Sequence, residues 1–395
     1  IVMNANGKKL LVSRAVNKLG DIMYDYGNSV WIASMGTVGQ TFLGIYKMAE
    51  LIVQIFVGPF AGALADRFDR RKILLLTDLL SATMCLVVAL LGEKTAMVYG
   101  LIVVNVVLAF TGVFSQSTYK AFIRDIVNKE EVVAYNSNLT TVVQVIKVSS
   151  PILGFVILQH LGLQLTLLLD SLTFFVSFFL VGRIRIETRS LSKSSTKPSV
   201  ILKDIWEGMC YIYEHKDIFF LLIMASAVNF FIVMYDYLLP FMDDMLVSKG
   251  AYATFLSVAA VSVLIGSALS RFVKNNLTTM LWVLMLSNTG IILVALPALF
   301  GLPVWLSYGG QVIVKIFEAI FNIHFFSQVQ IRTDKAYMGR VFSSIYTLAL
   351  CLTPLGTLIV TLLPNAVQLS TFIWIGLASV LVAVVGLFYA KYLLS

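Results

Sequence analysis

A row of amide and acidic side chains lies on one face of the first long apolar segment. Asn17, Asp21, Asp25 and Asn28 follow one another at intervals that place them on a single helical face. A charge within a bilayer costs roughly 2.5–3.5 kcal/mol on insertion scales, so such a row indicates function. Burial favours the neutral form of a carboxyl group, which can then bind a proton on one side of a membrane and release it on the other. Asp21 and Asp25 are therefore candidates for proton coupling.

A second row occupies one face of a later apolar segment. It is formed by Gln311, Lys315, Glu318 and Asn322. Asp236 lies in a third segment, seven residues after another polar residue. Rows of this kind are typical of helices that line a water-filled cavity. We therefore add Asp236, Lys315, Glu318 and Asn322 to the proton-coupling and cavity candidates.

Lysines within apolar segments need partners. Lys147 has no acid on its own helical face, and a carboxylate from another helix, Asp25 or Glu318, is the expected partner. Lys47 lies three residues before Glu50, and we favour neutralisation within that one helix.

The equally spaced pair of Lys315 and Glu318 admits the same interpretation. Because its row extends through four polar residues, we favour cavity lining there.

Several chemistries have no support in the sequence. It contains no phosphate-binding loop of the form G-x-x-x-x-G-K-[ST], so we expect no direct use of ATP. The three histidines, His160, His215 and His324, lack the spacing of metal ligands. No nucleophile–base arrangement is suggested. We predict no catalytic residues, no metal and no cofactor other than a proton gradient, and hence no enzyme.

The elements that position these residues are membrane spans. The chain has 395 residues, of which 59% are hydrophobic and 13% charged, and its mean hydropathy is +0.89. Apolar windows of about 20 residues recur throughout, which predicts a multi-pass helical membrane protein. We place twelve spans at 14–37, 40–64, 72–92, 95–123, 134–159, 163–184, 218–242, 249–271, 277–299, 303–328, 338–363 and 369–392.

The distribution of positive charge predicts the topology. With the N-terminus inside, 24 of the 29 lysines and arginines fall in inner segments and two in outer turns. By the positive-inside rule this places both termini in the cytoplasm. It also explains the net charge of +8 without a nucleic acid, because the basic loops face an anionic leaflet.

The spans divide six plus six. We predict an N-terminal bundle over 1–186, a cytoplasmic linker over 187–217 and a C-terminal bundle over 218–395. The linker contains an expected amphipathic helix, which we place along the inner membrane surface with one apolar face formed by Ile201, Ile205, Met209 and Ile212. A short pattern is repeated in the two halves of the chain, as Gly62-x-x-x-Asp66-Arg67-Phe68 and as Gly266-x-x-x-Ser270-Arg271-Phe272. This repeat favours two pseudo-symmetric halves with a substrate site between them.

The segment GALADRFDRRK, residues 62–72, resembles the inner-loop motif of the major facilitator superfamily, Gly-x-x-x-Asp-Arg-x-Gly-Arg-Arg/Lys. Asp69 replaces the family's second glycine, a variant similar to that of the macrolide and drug exporters. The segments at 121–136 and 337–343 are also similar to that branch. The resemblance implies the all-α major facilitator fold, with two six-helix bundles.

The resemblance also implies a conformational latch. Asp66 would dock near the start of the eleventh span, and Arg70 would pair with an acid after the fourth span, for which Asp125 is the match. Gly62 would let two helices approach closely. The latch candidates are Gly62, Asp66, Arg67, Arg70, Arg71 and Asp125.

The fifth span departs from the exporter pattern. That pattern, Gly-Pro-x-x-Gly-Gly, is represented here by Ser150-Pro151-Ile152-Leu153-Gly154-Phe155, so only Pro151 and Gly154 agree. Lys147, one turn away, is not expected in the exporter branch. It favours a site tuned toward an anionic or zwitterionic substrate.

The leading functional hypothesis is a proton-coupled antiporter that exports amphiphilic small molecules, as in macrolide or multidrug efflux and antibiotic resistance. One alternative is a dedicated exporter or flippase of a native metabolite, peptide or lipid-linked compound. Another, of a different class, is a non-transporting membrane sensor or scaffold. We expect a monomer in a bacterial cytoplasmic membrane, with substrate, protons and lipid as its partners.

Overall fold

The computed structural model is built entirely from helices in its described part. It describes residues 5–127, 131–184 and 198–394, without the side chains of residues 62–67, 124, 133, 198, 338, 339, 343 and 392–394. The chain divides into two compact units, Ile1–Ile201 and Leu202–Ser395. The boundary between them falls within the segment predicted as the linker.

The described residues of the first unit form five long helices. They are α1 (Ala5–Ala33), α2 (Thr37–Arg67), α3 (Arg70–Ala89), α4 (Lys94–Ile126) and α5 (Val132–Gly182). Helix α5 carries two predicted spans, because Gly162 adopts a left-handed φ of 80° and interrupts the helical geometry. The first predicted span ends too late: α1 stops at Ala33, where a turn through Gly36, with φ of 68°, leads into α2.

The second unit begins within the linker helix. Its elements are α6 (Pro198–Glu214), α7 (Lys216–Leu238), α8 (Met242–Met245), α9 (Ala251–Leu269), α10 (Leu277–Leu299), α11 (Trp305–Arg332), α12 (Met338–Leu350), α13 (Thr353–Leu362) and α14 (Leu369–Leu394). The eleventh predicted span is divided into α12 and α13. Pro354, in the first turn of α13, lacks the N–H that a continuous helix would need there.

The twelve predicted spans are present as helices. In the part of the chain that the structure describes, ten helical segments are long and apolar enough to cross a membrane. One of them is α5, which holds two spans, and α1 falls outside the ten because its row of charged residues lowers its hydropathy. Large apolar side chains such as Phe56 and Trp374 are exposed, at 70% and 71%, as expected for surfaces that contact lipid.

Close packing within each unit fixes the helices that carry the polar rows. In the first unit, α1 packs on both parts of α5, and α3 packs on α4 and α5. In the second, α11 packs on α9 and α10. A Cβ on Gly290 of α10 would lie 2.7 Å from the backbone N of Val314, and one on Gly310 of α11 would lie 2.5 Å from that of Val294. Small residues at this contact therefore allow the two backbones to meet.

Asp69, the residue that departs from the family motif, caps α3. Its carboxylate accepts hydrogen bonds from the backbone N–H groups of Arg71 at 3.0 Å and Lys72 at 3.3 Å. These N–H groups have no partner within the helix, so an acidic N-cap stabilises the first turn. The same negative charge lies beside the positive end of the helix dipole.

The linker helix is amphipathic, but its predicted membrane face was wrong. Ile212 is only 1% exposed, and Ile205 is half-buried. The backbone O of Ile205 accepts a hydrogen bond from the hydroxyl of Ser344 in α12 at 2.9 Å. This side of α6 therefore packs on its own unit, because apolar protein surface competes with lipid for the same side chains.

The cap at Asp69 predicts a stability difference between two substitutions. Asp69→Ala removes the side-chain acceptor and should lower the free energy of unfolding by about 0.5–2 kcal/mol. Asp69→Asn removes the charge but keeps an acceptor, and should retain most of that stability. Denaturant unfolding in detergent measures both; equal losses would show that the cap hydrogen bonds do not stabilise α3.

Candidate functional site

Lys315 lies between two carboxylates in the second unit. Its Nζ is 2.9 Å from Oε2 of Glu318 on the same helix and 3.4 Å from Oδ1 of Asp236 on α7. The side chains of Lys315 and Glu318 are 12% and 19% exposed, whereas that of Asp236 is 46% exposed. The structure thus joins three of the predicted cavity residues, which come from two helices, in one charge cluster.

Neighbouring aromatic and amide groups support this cluster. The hydroxyl of Tyr235 donates to Oε1 of Gln311, and Nε2 of Gln311 donates to the backbone O of Phe255 at 3.1 Å. Gln311, predicted as part of a cavity-lining row, is completely buried, and so is Tyr235. Lys315 also lies 5.9 Å from the centre of the Tyr235 ring, within cation–π range. The lysine is therefore held against a fixed surface.

The charges of the cluster do not cancel. One ammonium faces two carboxylates, so one negative charge is left when all three groups are ionised. A single proton or a single positive group of a ligand would neutralise it. Since Asp236 is the most exposed of the three, it is the carboxylate that a soluble ligand reaches first.

The first unit contains a comparable pair. Nζ of Lys47 on α2 is 2.7 Å from Oδ1 of Asp25 on α1. The predicted pairing of Lys47 with Glu50 was therefore wrong; Glu50 instead accepts a hydrogen bond from Nε2 of Gln54 at 3.1 Å. A partner on a facing helix lets the lysine side chain extend across the helix contact, whereas a partner on the same helix constrains both side chains.

A buried tyrosine holds the pair in the first unit as well. Tyr46 is fully buried, and its hydroxyl donates to Asp25 over a long 3.5 Å. Asn28 donates to the same hydroxyl at 3.3 Å, and the amide of Asn105 on α4 donates to the backbone O of Tyr46 at 2.8 Å. Both units therefore place an aspartate of their first spanning helix against a lysine from another helix, next to a buried tyrosine.

The remaining cavity candidates join neither pair. Lys147 is exposed and, within the described residues, has no carboxylate at ion-pair distance. Of its two predicted partners, Asp25 pairs with Lys47 and Glu318 with Lys315. Asn322 is exposed on α11 and Asp21 is half-buried on α1.

The part of the latch that the structure describes includes the predicted ion pair. Arg70 at the start of α3 donates to Oδ2 of Asp125 near the end of α4 at 2.7 Å, and also to the backbone O of Ala121 at 3.3 Å. Arg71 donates to the backbone O of Gly182. The side chains of Gly62, Asp66 and Arg67 lie outside the described residues, so their predicted contacts are not tested.

The two motif residues of the fifth span lie inside α5. Pro151 is buried within the helix. Gly154 faces α1, where an added Cβ would lie 3.0 Å from the ring of Tyr26 and 3.6 Å from the Cα of Met23. Gly154 therefore lies next to the helix that carries Asp25.

The sequence interpretation missed one buried carboxylate. Asp78 on α3 is 3% exposed and accepts hydrogen bonds from Nδ2 of Asn17 at 3.2 Å and from the hydroxyl of Ser177. Ser13 shares a hydrogen bond with Ser177 at 2.7 Å. An acidic residue inside the third predicted span was the signal that would have found it. It ties α1, α3 and α5 together.

Comparison with known proteins places this arrangement in a family. The sequence pattern of the Major Facilitator Superfamily matches residues 19–357. An uncharacterized MFS-type transporter of Bacillus subtilis, YkuC, is 24% identical over 252 residues, which cover 59% of this chain and 54% of that protein. The match thus spans about half of the length of that relative.

Solved structures share the fold at low sequence identity. A bacterial homologue of the iron transporter ferroportin, in an inward-facing state, has a TM-score of 0.75 and 16% identity, with 97% of this chain and 98% of that one covered. The nucleoside transporter NupG has a TM-score of 0.74 and 13% identity, with 96% and 98% covered. These similarities show the fold and leave the substrate open. Among the described residues, no group of three or more His, Cys, Asp or Glu side chains is placed to hold a metal ion.

The charge cluster around Lys315 predicts a non-additive effect on stability. Lys315→Met leaves two carboxylates without their cation, and breaking a buried pair in this way costs about 3–5 kcal/mol. Because Asp236 is partly exposed, we expect the lower end of that range. The double variant, which combines Lys315→Met and Glu318→Gln, should recover part of the lost stability, since Glu318→Gln also removes the buried anion.

Unfolding of the single and double variants in detergent measures this coupling. Asp243→Asn is a suitable comparison, because its carboxylate caps the backbone at Gly250 and Tyr252 and has no part in the cluster. A double variant less stable than Lys315→Met alone would contradict the account.

Proposed function

The chain belongs to the Major Facilitator Superfamily, and we propose that it is a proton-coupled antiporter that exports amphiphilic small molecules of the macrolide or multidrug type. Membership makes it a multi-pass membrane protein and a secondary transporter rather than an enzyme. The proposal adds the coupling ion, the direction and the class of substrate.

The observation that carries the proposal is the placement of Lys315 between Glu318 and Asp236. Since this cluster has one negative charge in excess, it binds either one proton or one cationic or polar group of a substrate. Two ligands that compete for one charge cannot both be bound with full affinity. Competition of this kind converts the inward movement of protons into outward movement of substrate.

Lys315 makes the exchange reversible. When Glu318 takes up a proton, the lysine can turn its full charge to Asp236, so neither group is left buried and unpaired. When the proton leaves, the ammonium again bridges both carboxylates. The cation–π contact with Tyr235 keeps the ammonium near both partners throughout.

The Asp25–Lys47 pair supports a second coupling position in the first unit. Asp25 is 45% exposed in spite of its ion pair, so protons and substrate can reach it. Glu50 lies one turn from Lys47 and takes its hydrogen bond from a neutral amide, which leaves a second acid beside the same lysine. Unlike in the Lys315 cluster, only one carboxylate, that of Asp25, is at ion-pair distance from this lysine among the described residues.

A second candidate function rests on Lys147. An exposed lysine within a spanning helix, without a carboxylate partner in the described residues, favours an anionic or zwitterionic ligand. That chemistry fits a dedicated exporter or flippase of a native metabolite, peptide or lipid-linked compound. Under this alternative, Lys147→Gln removes transport of the native compound and leaves proton coupling intact.

The ion pair of Arg70 and Asp125 supports a role in conformational control. It is partly shielded, with side-chain exposures of 22% and 13%, and it holds the start of α3 against the end of α4. We propose that these residues, with Gly62, Asp66, Arg67 and Arg71, form a latch that stabilises one access state. A sensor or scaffold without transport activity would not need to preserve such a latch together with two charged clusters.

Proton coupling predicts a specific loss in proteoliposomes. Combined, Asp25→Asn and Glu318→Gln remove one protonatable group from each unit. Uptake driven by an imposed pH gradient should then fall at least tenfold, which corresponds to a free-energy difference of about 1.4 kcal/mol. Exchange of labelled for unlabelled substrate without a gradient should persist. Dyes, macrolides and peptides are the compounds to screen.

Glu93→Gln is the matched control, because Glu93 caps the outer start of α4 and lies far from either cluster in sequence. Gradient-driven transport that survives the loss of both Asp25 and Glu318 would exclude these carboxylates as the coupling groups.

The latch predicts a defect in transport without a defect in topology. Asp125→Asn removes the carboxylate that accepts the 2.7 Å hydrogen bond of Arg70, so the rate of transport should fall several-fold. The inner arginines and lysines remain, and they should still fix the orientation. Labelling of single introduced cysteines from either side of the membrane measures orientation. An inverted or mixed topology in Asp125→Asn would argue that this pair serves insertion rather than transport.

A further inference from the structure

The linker helix α6 leaves an apolar surface exposed. Leu202, Trp206 and Tyr213 are 55%, 64% and 74% exposed. At about 100° per residue, the three lie within about 40° of one another around the helix axis. We call them the outer face of α6. Large apolar side chains grouped in this way indicate a binding surface.

The opposite face of α6 is fixed to α12. Arg340 forms ion pairs with Asp204 at 3.2 Å and Glu207 at 2.8 Å. Gly208 lies so close to the backbone of Arg340 that a side chain there would collide with its carbonyl group.

Stacked rings extend this attachment. The ring of Tyr211 stacks on that of Tyr337 with centroids 4.7 Å apart. The hydroxyl of Tyr211 accepts a hydrogen bond from the backbone N–H of Asp334 at 3.1 Å. Helix α6 cannot rotate to hide its outer face without breaking these contacts.

The outer face continues directly onto a spanning helix. Only His215 separates α6 from α7, which crosses the membrane. The ring of Tyr213 packs edge-on against that of Phe219 in the first turns of α7, with centroids 5.8 Å apart. Phe219 is itself 38% exposed, as a lipid-facing residue would be. The two surfaces therefore form one apolar strip.

The edge of the outer face is polar. Lys203, about 100° from Leu202 around the axis, has a side chain that is 74% exposed, and it lies 3.7 Å from Glu207. A helix with aromatic side chains on one exposed arc and charged ones at its margin is typical of the membrane–water interface. Because the charge of Lys203 is shared with Glu207, apolar burial rather than anionic lipid is the main source of attraction.

We propose that the outer face of α6, Leu202, Trp206 and Tyr213, binds the interfacial region of the adjacent bilayer leaflet. The occupant is lipid, because the face continues the lipid-facing surface of α7. The attachment of α6 to Arg340 then ties the start of α12 to the membrane surface. This interaction is independent of the proposed substrate and coupling ion.

Fluorescence of Trp206 tests the proposal. The other four tryptophans, Trp31, Trp282, Trp305 and Trp374, are replaced by phenylalanine, and the protein is reconstituted in phosphatidylcholine vesicles. Lipids brominated near the headgroup end of the acyl chains should at least halve the emission of Trp206. Lipids brominated near the chain end should quench less, and aqueous acrylamide should quench little. Added phosphatidylglycerol should have little effect.

A matched probe lies at the polar margin of the same helix. In a chain that lacks all five native tryptophans, Lys203→Trp should be quenched strongly by acrylamide and weakly by brominated lipid. If replacement of several tryptophans prevents folding, the difference in quenching between the native chain and Trp206→Phe gives the same information.

Two results would overturn the proposal. Strong acrylamide quenching of Trp206 with no quenching by brominated lipid would place the outer face in water. Protection from both quenchers that increases with the protein-to-lipid ratio would show that a second copy of the chain covers it.

Discussion

A buried lysine in a membrane must find a carboxylate, and this requirement organises both units of the protein. An unpaired charge within the bilayer costs more free energy than most other local features of a helix do. Lys47 meets Asp25 across α1 and α2, and Lys315 meets Asp236 across α7 and α11. In each case a buried tyrosine lies next to the lysine and fixes where the charges meet.

The same requirement links structure to transport. A cluster with one lysine and two carboxylates is stable when protonated, because the lysine keeps one partner, and stable when deprotonated, because the ammonium bridges both. A chemical group that is tolerated in two protonation states suits the proton coupling that we propose. Close helix contacts, such as that of Gly290 and Gly310, hold the surrounding helices in place while the charge changes.

Apolar windows were sufficient to predict the spans, and helical periodicity named Lys315 and Glu318 as cavity candidates. The ion pairs that join these two residues and Asp236 were not predicted, because cavity lining was favoured over pairing of Lys315 with Glu318. The resemblance of the inner loop led to the pair of Arg70 and Asp125, which is present. The sequence did not suggest Asp25, on a facing helix, as the partner of Lys47, which the structure shows. Glu50 was favoured because only distances within one helix can be read from the sequence. Asp78 was overlooked for a related reason, since its partners come from α1 and α5. The role of Asp69 follows from its position before α3, a local signal that comparison with the family motif obscured.

Release of protons on substrate binding tests the central claim most directly. A compound shown to be transported is added to purified protein in weakly buffered detergent solution at near-neutral pH, and the change in pH is recorded. Competition between a proton and substrate predicts release of protons by the native chain. It predicts a smaller release from Asp25→Asn or Glu318→Gln, and almost none when the two changes are combined. Undiminished release from the doubly changed protein, or saturable binding without any release by the native chain, would contradict the account.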